Sequence, residues 1–306
     1  MKIVFALFLS LSTFQGFAQK GEPVILNVIY KFKHINDLNK PNKPFEQEMI
    51  LRLGKTESRY NSWTDEVNMK TAVKNANNSG KSSSSSGGVF GFVPTVFVKS
   101  KGVQDFDLLQ YPGLDRLVRV VVMGDSNYLI ETSLPVIDWK VSEEKKEIGG
   151  YTCQKATGTY AGRTYIAWFA PKLPFRCGPW KLSGLPGLIL EAKDLTNEVS
   201  FTFKELSRPE GIESTAPRKS RVIKVSEKAF DRAYTAFEKD PVSVYQSQLP
   251  IGADKAQLAY VDDKGVPFYA EEGKKMYESL KTDLKKRKSN PLELKIDAKG
   301  TGQVIK

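Results

Sequence analysis

The feature that most constrains this chain is a period of two. From Leu26 onward, apolar side chains recur at alternate positions in short runs separated by turn residues. Leu26, Val28, Tyr30, Phe32 and His34 share one face of the first run, and Val199, Phe201 and Phe203 share one face of a late one. Successive side chains of a strand point to opposite faces, so each run is predicted as a strand with one buried side. Further strands are expected at 46–52, 56–63, 96–99, 116–123, 128–132, 136–141, 145–148, 151–160, 163–170, 188–192, 199–206 and 221–225. Turns at Pro112-Gly113, Gly124–Asn127 and Ala161-Gly162 link neighbours as hairpins. Helices do not alternate with these strands, which argues against a doubly wound α/β fold. The pattern predicts a mainly β protein, its antiparallel sheet curved into an open or half barrel.

Helices are expected at three places. Thr64 is placed to cap a short one, with Asp65 and Glu66 in its first turn and the pattern fading by Asn75. Ser226 is placed to cap a second, whose Phe230, Ala233, Tyr234 and Phe237 form an aromatic stripe. A third, strongly charged, runs from Glu271 to Arg287 with Met276, Tyr277, Leu280 and Leu284 on one face, and Asn290-Pro291 stops it. The expected organisation is a leader at 1–18, a β-rich domain at 19–225 and C-terminal helices within 226–306 packed on that domain, α+β overall. Residues 77–88, rich in Asn, Ser and Gly, read as a flexible surface loop. The apolar run Val89–Val93 beside it reads as the next edge of the core, or as a mobile flap over a cleft.

The first residues predict the compartment. Lys2, the apolar run Ile3–Leu11 and the small residues of Gly16-Phe17-Ala18 form a secretory signal with cleavage expected after Ala18. No later stretch reaches the roughly 18 apolar residues of a membrane span. The expectation is a soluble exported protein, in the periplasm or outside the cell. The net charge of +11 comes from lysines spread along the chain. That reads as a solvated surface, with nucleic acid not expected as a partner. Two cysteines remain, Cys153 and Cys177. In an oxidising compartment they are expected to form a disulfide, closing a loop of about 25 residues and contributing about 3 kcal/mol; the alternative is two buried thiols. No metal site or cofactor is expected, since two thiols without a neighbouring histidine do not complete a zinc shell.

The densest stretch is Gly150–Leu206, which holds both cysteines and the run Gly184-Leu185-Pro186-Gly187-Leu188-Ile189. Gly150-Tyr151-Thr152-Cys153-Gln154-Lys155-Ala156, Ala167-Trp168-Phe169, Gly178-Pro179-Trp180-Lys181 and the late Asn290-Pro291-Leu292-Glu293-Leu294 accompany it in order. In these residues the chain resembles the GLPGLI family of exported Bacteroidota proteins. The resemblance implies export and a β-rich fold, and no settled activity. Cys177 stands where that family is associated with a polar residue, so the resemblance does not imply the disulfide. The Ser-rich stretch at 82–86 looks like an insertion.

Catalytic motifs are missing from the sequence. His34 is the single histidine, and it is expected on the outward half of an early strand without a nucleophile motif nearby. Asp138, Glu191 and Asp194 lie near the motif and read as surface or turn residues. The Gly-Leu-Pro-Gly run lacks the lysine and hydroxyl residue of a phosphate loop and leads into a strand. It reads first as structure: Pro186 fixes φ, the glycines allow turns, and Leu185, Leu188 and Ile189 bury. It reads second as the rim of a binding site, with Trp168, Phe169, Trp180, Leu185, Pro186 and Leu188 as walls for an apolar small molecule or lipid. The leading expectation is a non-enzymatic envelope protein that binds such a ligand or an outer-membrane protein. The rivals are a hydrolase using carboxylates that sequence does not pair, and an accessory factor of outer-membrane machinery.

Overall fold

The structure, a computed structural model, describes residues 21–79, 95–97, 106–123, 126–217, 221–239, 259–261, 267–269 and 288–294, with helical positions at 275, 279, 282 and 286. The leader at 1–18, most of the Ser-rich loop, the run at 89–93 and the greater part of the expected helix at 271–287 lie outside the described residues.

The strands are β1 (Leu26–His34), β2 (Phe45–Leu53), β3 (Ser58–Ser62), β4 (Thr95–Phe97), β5 (Phe106–Tyr111), β6 (Arg116–Met123), β7 (Ser126–Thr132) and β8 (Lys140–Ile148). They continue as β9 (Tyr151–Tyr160), β10 (Arg163–Ala170), β11 (Leu188–Asp194), β12 (Val199–Ser207), β13 (Arg221–Val225), β14 (Ala259–Val261) and β15 (Pro267–Tyr269). Helix α1 covers Trp63–Ser79 and α2 covers Glu227–Lys239. Twelve strands form one open sheet in the order β13-β7-β6-β5-β3-β2-β1-β12-β11-β10-β9-β8, and β15-β14-β4 form a small second sheet. The large sheet is two meanders joined where β1 pairs with β12, from Asn27 opposite Ser207 to His34 opposite Val199. Only β13 runs parallel to its neighbour in that sheet, along β7. No helix among the described residues is long and apolar enough to cross a membrane.

The sheet is strongly curved. Six strand spacings separate β5 from β10, about 29 Å if the sheet were flat. Yet one residue, Trp180, touches Gln110 of β5 through its carbonyl and Tyr165 of β10 through its ring. The inner face carries Val28, Tyr30 and Phe32 of β1, Met49 and Leu51 of β2, Tyr60 of β3, Leu108 of β5, Tyr165, Ala167 and Phe169 of β10, and Phe201 of β12, all buried in one core. Each large apolar side chain so enclosed contributes about 1.5–3 kcal/mol. Helix α2 packs on β6 and β7 through Phe230, which meets Tyr128 and Tyr234 and clusters with Val121 and Ile130.

Several local expectations needed correction. The pair of strands at 136–141 and 145–148 is one strand, β8, whose register slips between Val141 and Lys145, and both of its halves pair with β9. Val136 lies outside it, 95% exposed. Helix α1 is capped by Ser62, whose Oγ accepts from the Asp65 N–H at 2.9 Å. Thr64 accepts from the Glu48 N–H of β2 instead, and the helix runs to Ser79. The short strand β14, absent from the strands expected above, forms by pairing with distant β4. His34 points into the core, 1% exposed, because it continues the Tyr30–Phe32 face and packs on Phe32.

Candidate functional site

The motif segment leaves β10 at Ala170 and folds over the concave face before entering β11. A ladder of backbone bonds fixes its path: Leu188 N–H to Leu173 O (2.9 Å), Ile189 N–H to Cys177 O (3.1 Å) and Gly184 N–H to Arg176 O (3.1 Å). Pro186 sits at the apex of a three-residue turn in which Gly187 N–H donates to Leu185 O (2.8 Å), a conformation that its fixed φ suits. Gly184 has φ +99, and a Cβ on Gly187 would lie 2.4 Å from the Ala170 carbonyl oxygen. Trp180, itself at φ 55, stacks on Phe201 and meets Tyr160 edge-on at 5.4 Å. Tyr30 donates its hydroxyl to Ile189 O (2.8 Å), and Trp139 donates to Ser183 O (2.8 Å).

These contacts give most of the expected binding residues a different job. Phe169, Trp180, Leu185 and Leu188 are brought together, and all four are buried in the main core. The side chains named as walls of a cavity fill the hollow of the sheet. Trp168 lies on the other face of β10, half-buried beneath Lys146, whose Nζ is 4.6 Å from its ring centre. Pro186 is exposed at the turn.

The expected disulfide is absent: Cys153 and Cys177 are buried free thiols. The sheet stands between them. Cys153 pairs in register with Lys146 and shares the outer face with the Lys146–Glu191 ion pair. Cys177 lies on the inner face near Ser58 and Tyr30. Burial pushes the Cys153 thiol up to about 11, with Glu147 and Glu191 adding to it. Burial pushes Cys177 up to about 12. Both are protonated and unreactive at neutral pH.

A second assembly lies at the far end of β10. Arg163 and Asp194 are buried ion partners at 2.6 Å, each 2% exposed. Arg163 also donates to Glu198 (2.9 Å), to Asn290 Oδ1 and to the carbonyls of Pro291 and Leu292. Asn290 donates to Ile35 O and to Glu198, and Leu294 N–H donates to Ala161 O. Lys181 reaches Glu293 at 2.5 Å. The Asn-Pro-Leu-Glu-Leu run is thus a strap gripped by Arg163 and tied to the motif segment. Asp194, expected at the surface or in a turn, does open the turn into β12, its carbonyl accepting from the Asn197 N–H at 3.1 Å, but it is buried, and its carboxylate accepts from the N–H groups of Glu198 and Val199. His34 lies near this cluster. Burial and then Arg163 lower it to about 4 against a smaller opposing pull from the Asn290 backbone, Asp194 and Glu198, which keeps it neutral.

An open polar cleft lies elsewhere, on the outer face of β2 and β3. Arg52 and Arg59 are direct register partners there, an unfavourable pairing of like charges unless compensated. Compensation comes from three carboxylates. Glu66 takes two bonds from Arg52, at 3.1 and 2.8 Å; Glu213 takes one at 3.1 Å; Asp107 takes Arg59 at 3.0 Å. Burial acts to raise the Glu66 carboxyl, but Arg52, Asn61 and Arg59 hold it below its ordinary value. Trp63, at the start of α1, forms a wall, with Arg52 at 6.0 Å and Lys70 at 5.5 Å from its ring. Ser214 completes the lining of a cavity of about 240 Å³. Sequence reasoning missed this site because its residues come from two strands, a helix and a distant loop, and none belongs to a motif. The adjacent Arg52 and Arg59 on paired strands were the available signal. Among the described residues, no group of His, Cys, Asp and Glu is arranged to hold a metal ion.

Fold and cleft together define a class: an open antiparallel sheet plugged by its own chain, with a polar recess on its outer face. Residues 160–191, from the β9–β10 turn into β11, match a family described as a protein of unknown function, Porph_ging. No curated protein matches. Two solved structures of PNGF-II, in P21 and C2 space groups, are similar with TM-scores of 0.46 and 0.45, each at 11% identity. Each match covers 68% of this chain and 32% of the other, so the chain spans about a third of their length.

Proposed function

We propose that this chain is an exported, non-enzymatic binding protein of the cell envelope whose ligand site is the cleft of Arg52, Arg59, Trp63, Glu66, Lys70 and Glu213. One observation carries the reading. In this cleft Trp63 and charged groups held by β2, β3, α1 and the loop at Glu213 line a recess that opens to solvent, whereas the motif aromatics are consumed by the core. Rigid strands and a capped helix hold such groups more firmly than a loop does. Export rests on the leader-like residues 1–18.

The hydrolase alternative has one observation in its favour, since Glu66 and Glu213 flank Arg52 in a polar cleft. A carboxylate pair in hydrolysis needs one member raised to act as an acid. Both carboxylates are engaged in ion pairs with the same Arg52, at 2.8 and 3.1 Å, and Glu66 is held in the opposite direction; we therefore prefer the binding reading. An outer-membrane protein as the bound partner is compatible with the same cleft.

The test uses the mature chain and the NMR signal of the Trp63 indole, assigned by comparison with Trp63→Phe. Aqueous and organic extracts of the cell envelope are added separately. The expected outcome is a selective shift of Trp63 with the aqueous extract and no consumption of the bound component. A shift of Trp168 with Trp63 unmoved, or turnover abolished by Glu66→Gln, would overturn the proposal.

A further inference from the structure

We infer that the cleft takes a neutral polyhydroxylated ligand, one ring unit of a saccharide; this rests on the proposed binding role and adds the chemical class. The first ground is charge parity. The lining holds three cations, Arg52, Arg59 and Lys70, and two carboxylates, Glu66 and Glu213, and Asp107, outside the lining, balances Arg59. Glu66 holds Arg52 through both oxygens, and Asp107 holds Arg59 at 2.8 Å through Nη2. An anionic ligand seeking these guanidinium groups would come to rest against Glu66 and Glu213. A cationic one would meet Arg52, Arg59 and Lys70. A neutral ligand leaves the network intact.

The second ground is the mixture of donors and acceptors at the rim. Guanidinium and ammonium N–H groups sit beside carboxylate oxygens and the Ser214 hydroxyl. Ser214 Oγ already accepts from the Ala216 N–H at 3.1 Å, which leaves its hydrogen to give. A sugar hydroxyl both donates and accepts, so neighbouring hydroxyls complement a guanidinium and a carboxylate held side by side. The third ground is Trp63. Its half-buried ring lies in the lining beneath Arg52 and Lys70, and the C–H face of a sugar ring would take the place of Lys70 on it. Its neighbour Lys70 lies on an exposed part of α1, and a long lysine side chain can swing aside. The recess, about 240 Å³, is open to solvent, so a longer chain can continue out of it.

The experiment titrates the mature chain with neutral oligosaccharides of glucose, mannose and N-acetylglucosamine, with a polyuronate and with an acidic peptide, following the Trp63 indole at low and high salt. Binding of at least one neutral oligosaccharide is expected, with less than about a twofold change in Kd across the salt range. Trp63→Ala should weaken it by tenfold or more, and the exposed substitution Lys70→Gln by less than threefold; circular dichroism checks that both variants fold. Trp168→Ala should have no effect. If no neutral oligosaccharide moves Trp63, the inference is overturned. Salt-dependent binding of the polyuronate or peptide, weakened by Lys70→Gln, would then leave the binding role standing with an anionic ligand. Silence of Trp63 toward all of these and toward the envelope extracts would remove both.

Discussion

Gln110 and Trp180 lie 70 residues apart in the chain, and the Gln110 side-chain amide donates to the Trp180 carbonyl at 2.7 Å. This bond joins the two meanders across the hollow of the sheet, and the Trp180 ring fills the space beside it. Trp180→Ala should cost about 3–5 kcal/mol through the cavity it leaves. Gln110→Leu should cost about 1–3 kcal/mol by stranding a buried carbonyl. Urea unfolding measures both, and the double variant should lose less than the sum. Equal stability of Trp180→Ala and the natural chain would show that the segment does not plug the sheet.

Gly187 is pressed against the Ala170 carbonyl, where a Cβ would stand 2.4 Å from the oxygen. Gly187→Ala is expected to destabilise by about 1–3 kcal/mol. Pro186→Ala, at the exposed apex of the same turn, should cost about 1 kcal/mol or less through chain entropy alone. Chemical denaturation of the two variants side by side separates packing from turn preference.

Arg163 makes the strap part of the fold. Replacing it by Ala leaves Asp194 buried without its cation and frees the carbonyls of Pro291 and Leu292. A loss of about 3–5 kcal/mol is expected. Hydrogen exchange should speed up first at 288–294 and at β1 near Ile35, whose carbonyl Asn290 holds. Uniform acceleration across the sheet would contradict a local latch.

His34 sets a pH window for stability. Its folded value, about 4, lies below its ordinary 6.5, so the unfolded chain binds the proton more tightly. The contribution is present above 6.5 and lost as pH falls toward 4, on the order of 3 kcal/mol in total. Glu66 and Glu198 are held below their ordinary 4.5, and their contributions fade only below that value. Stability measured between pH 7 and pH 4 should therefore decline, and His34→Gln should flatten this interval while leaving the steeper loss at lower pH.

The two thiols supply a chemical check on the topology. Native protein should resist a thiol reagent at neutral pH, with or without reductant, because both groups are buried and protonated. In denaturant without reductant both should react. Recovery of no free thiol under those conditions would restore the disulfide and require the faces of Cys153 and Cys177 to be reassigned.

Much of the architecture was legible because it is local. The alternation in Leu26–His34, Tyr151–Tyr160 and Val199–Ser207 marks strands whose hydrogen-bond partners need not be known. The turn at Ala161-Gly162, with both residues at positive φ, and the Ser226 cap of α2 follow from residue chemistry at fixed offsets. The error at 136–148 came from a charged edge strand, where burial gives no pattern to read. The cleft was illegible for a different reason: Arg52, Glu66 and Glu213 become neighbours only after the sheet, α1 and a distant loop are in place.

The sequence alone determined that this chain makes antiparallel strands and that Gly184–Ile189 turns and buries, because side-chain periodicity and glycine and proline stereochemistry act within a few residues. Tertiary structure decided the rest. It paired β1 with β12, placed the two cysteines on opposite faces, turned the motif aromatics from a rim into a plug, and gathered the charges of the outer cleft. Those outcomes depend on long-range register and on which face each strand presents, and no span of sequence carries that information by itself.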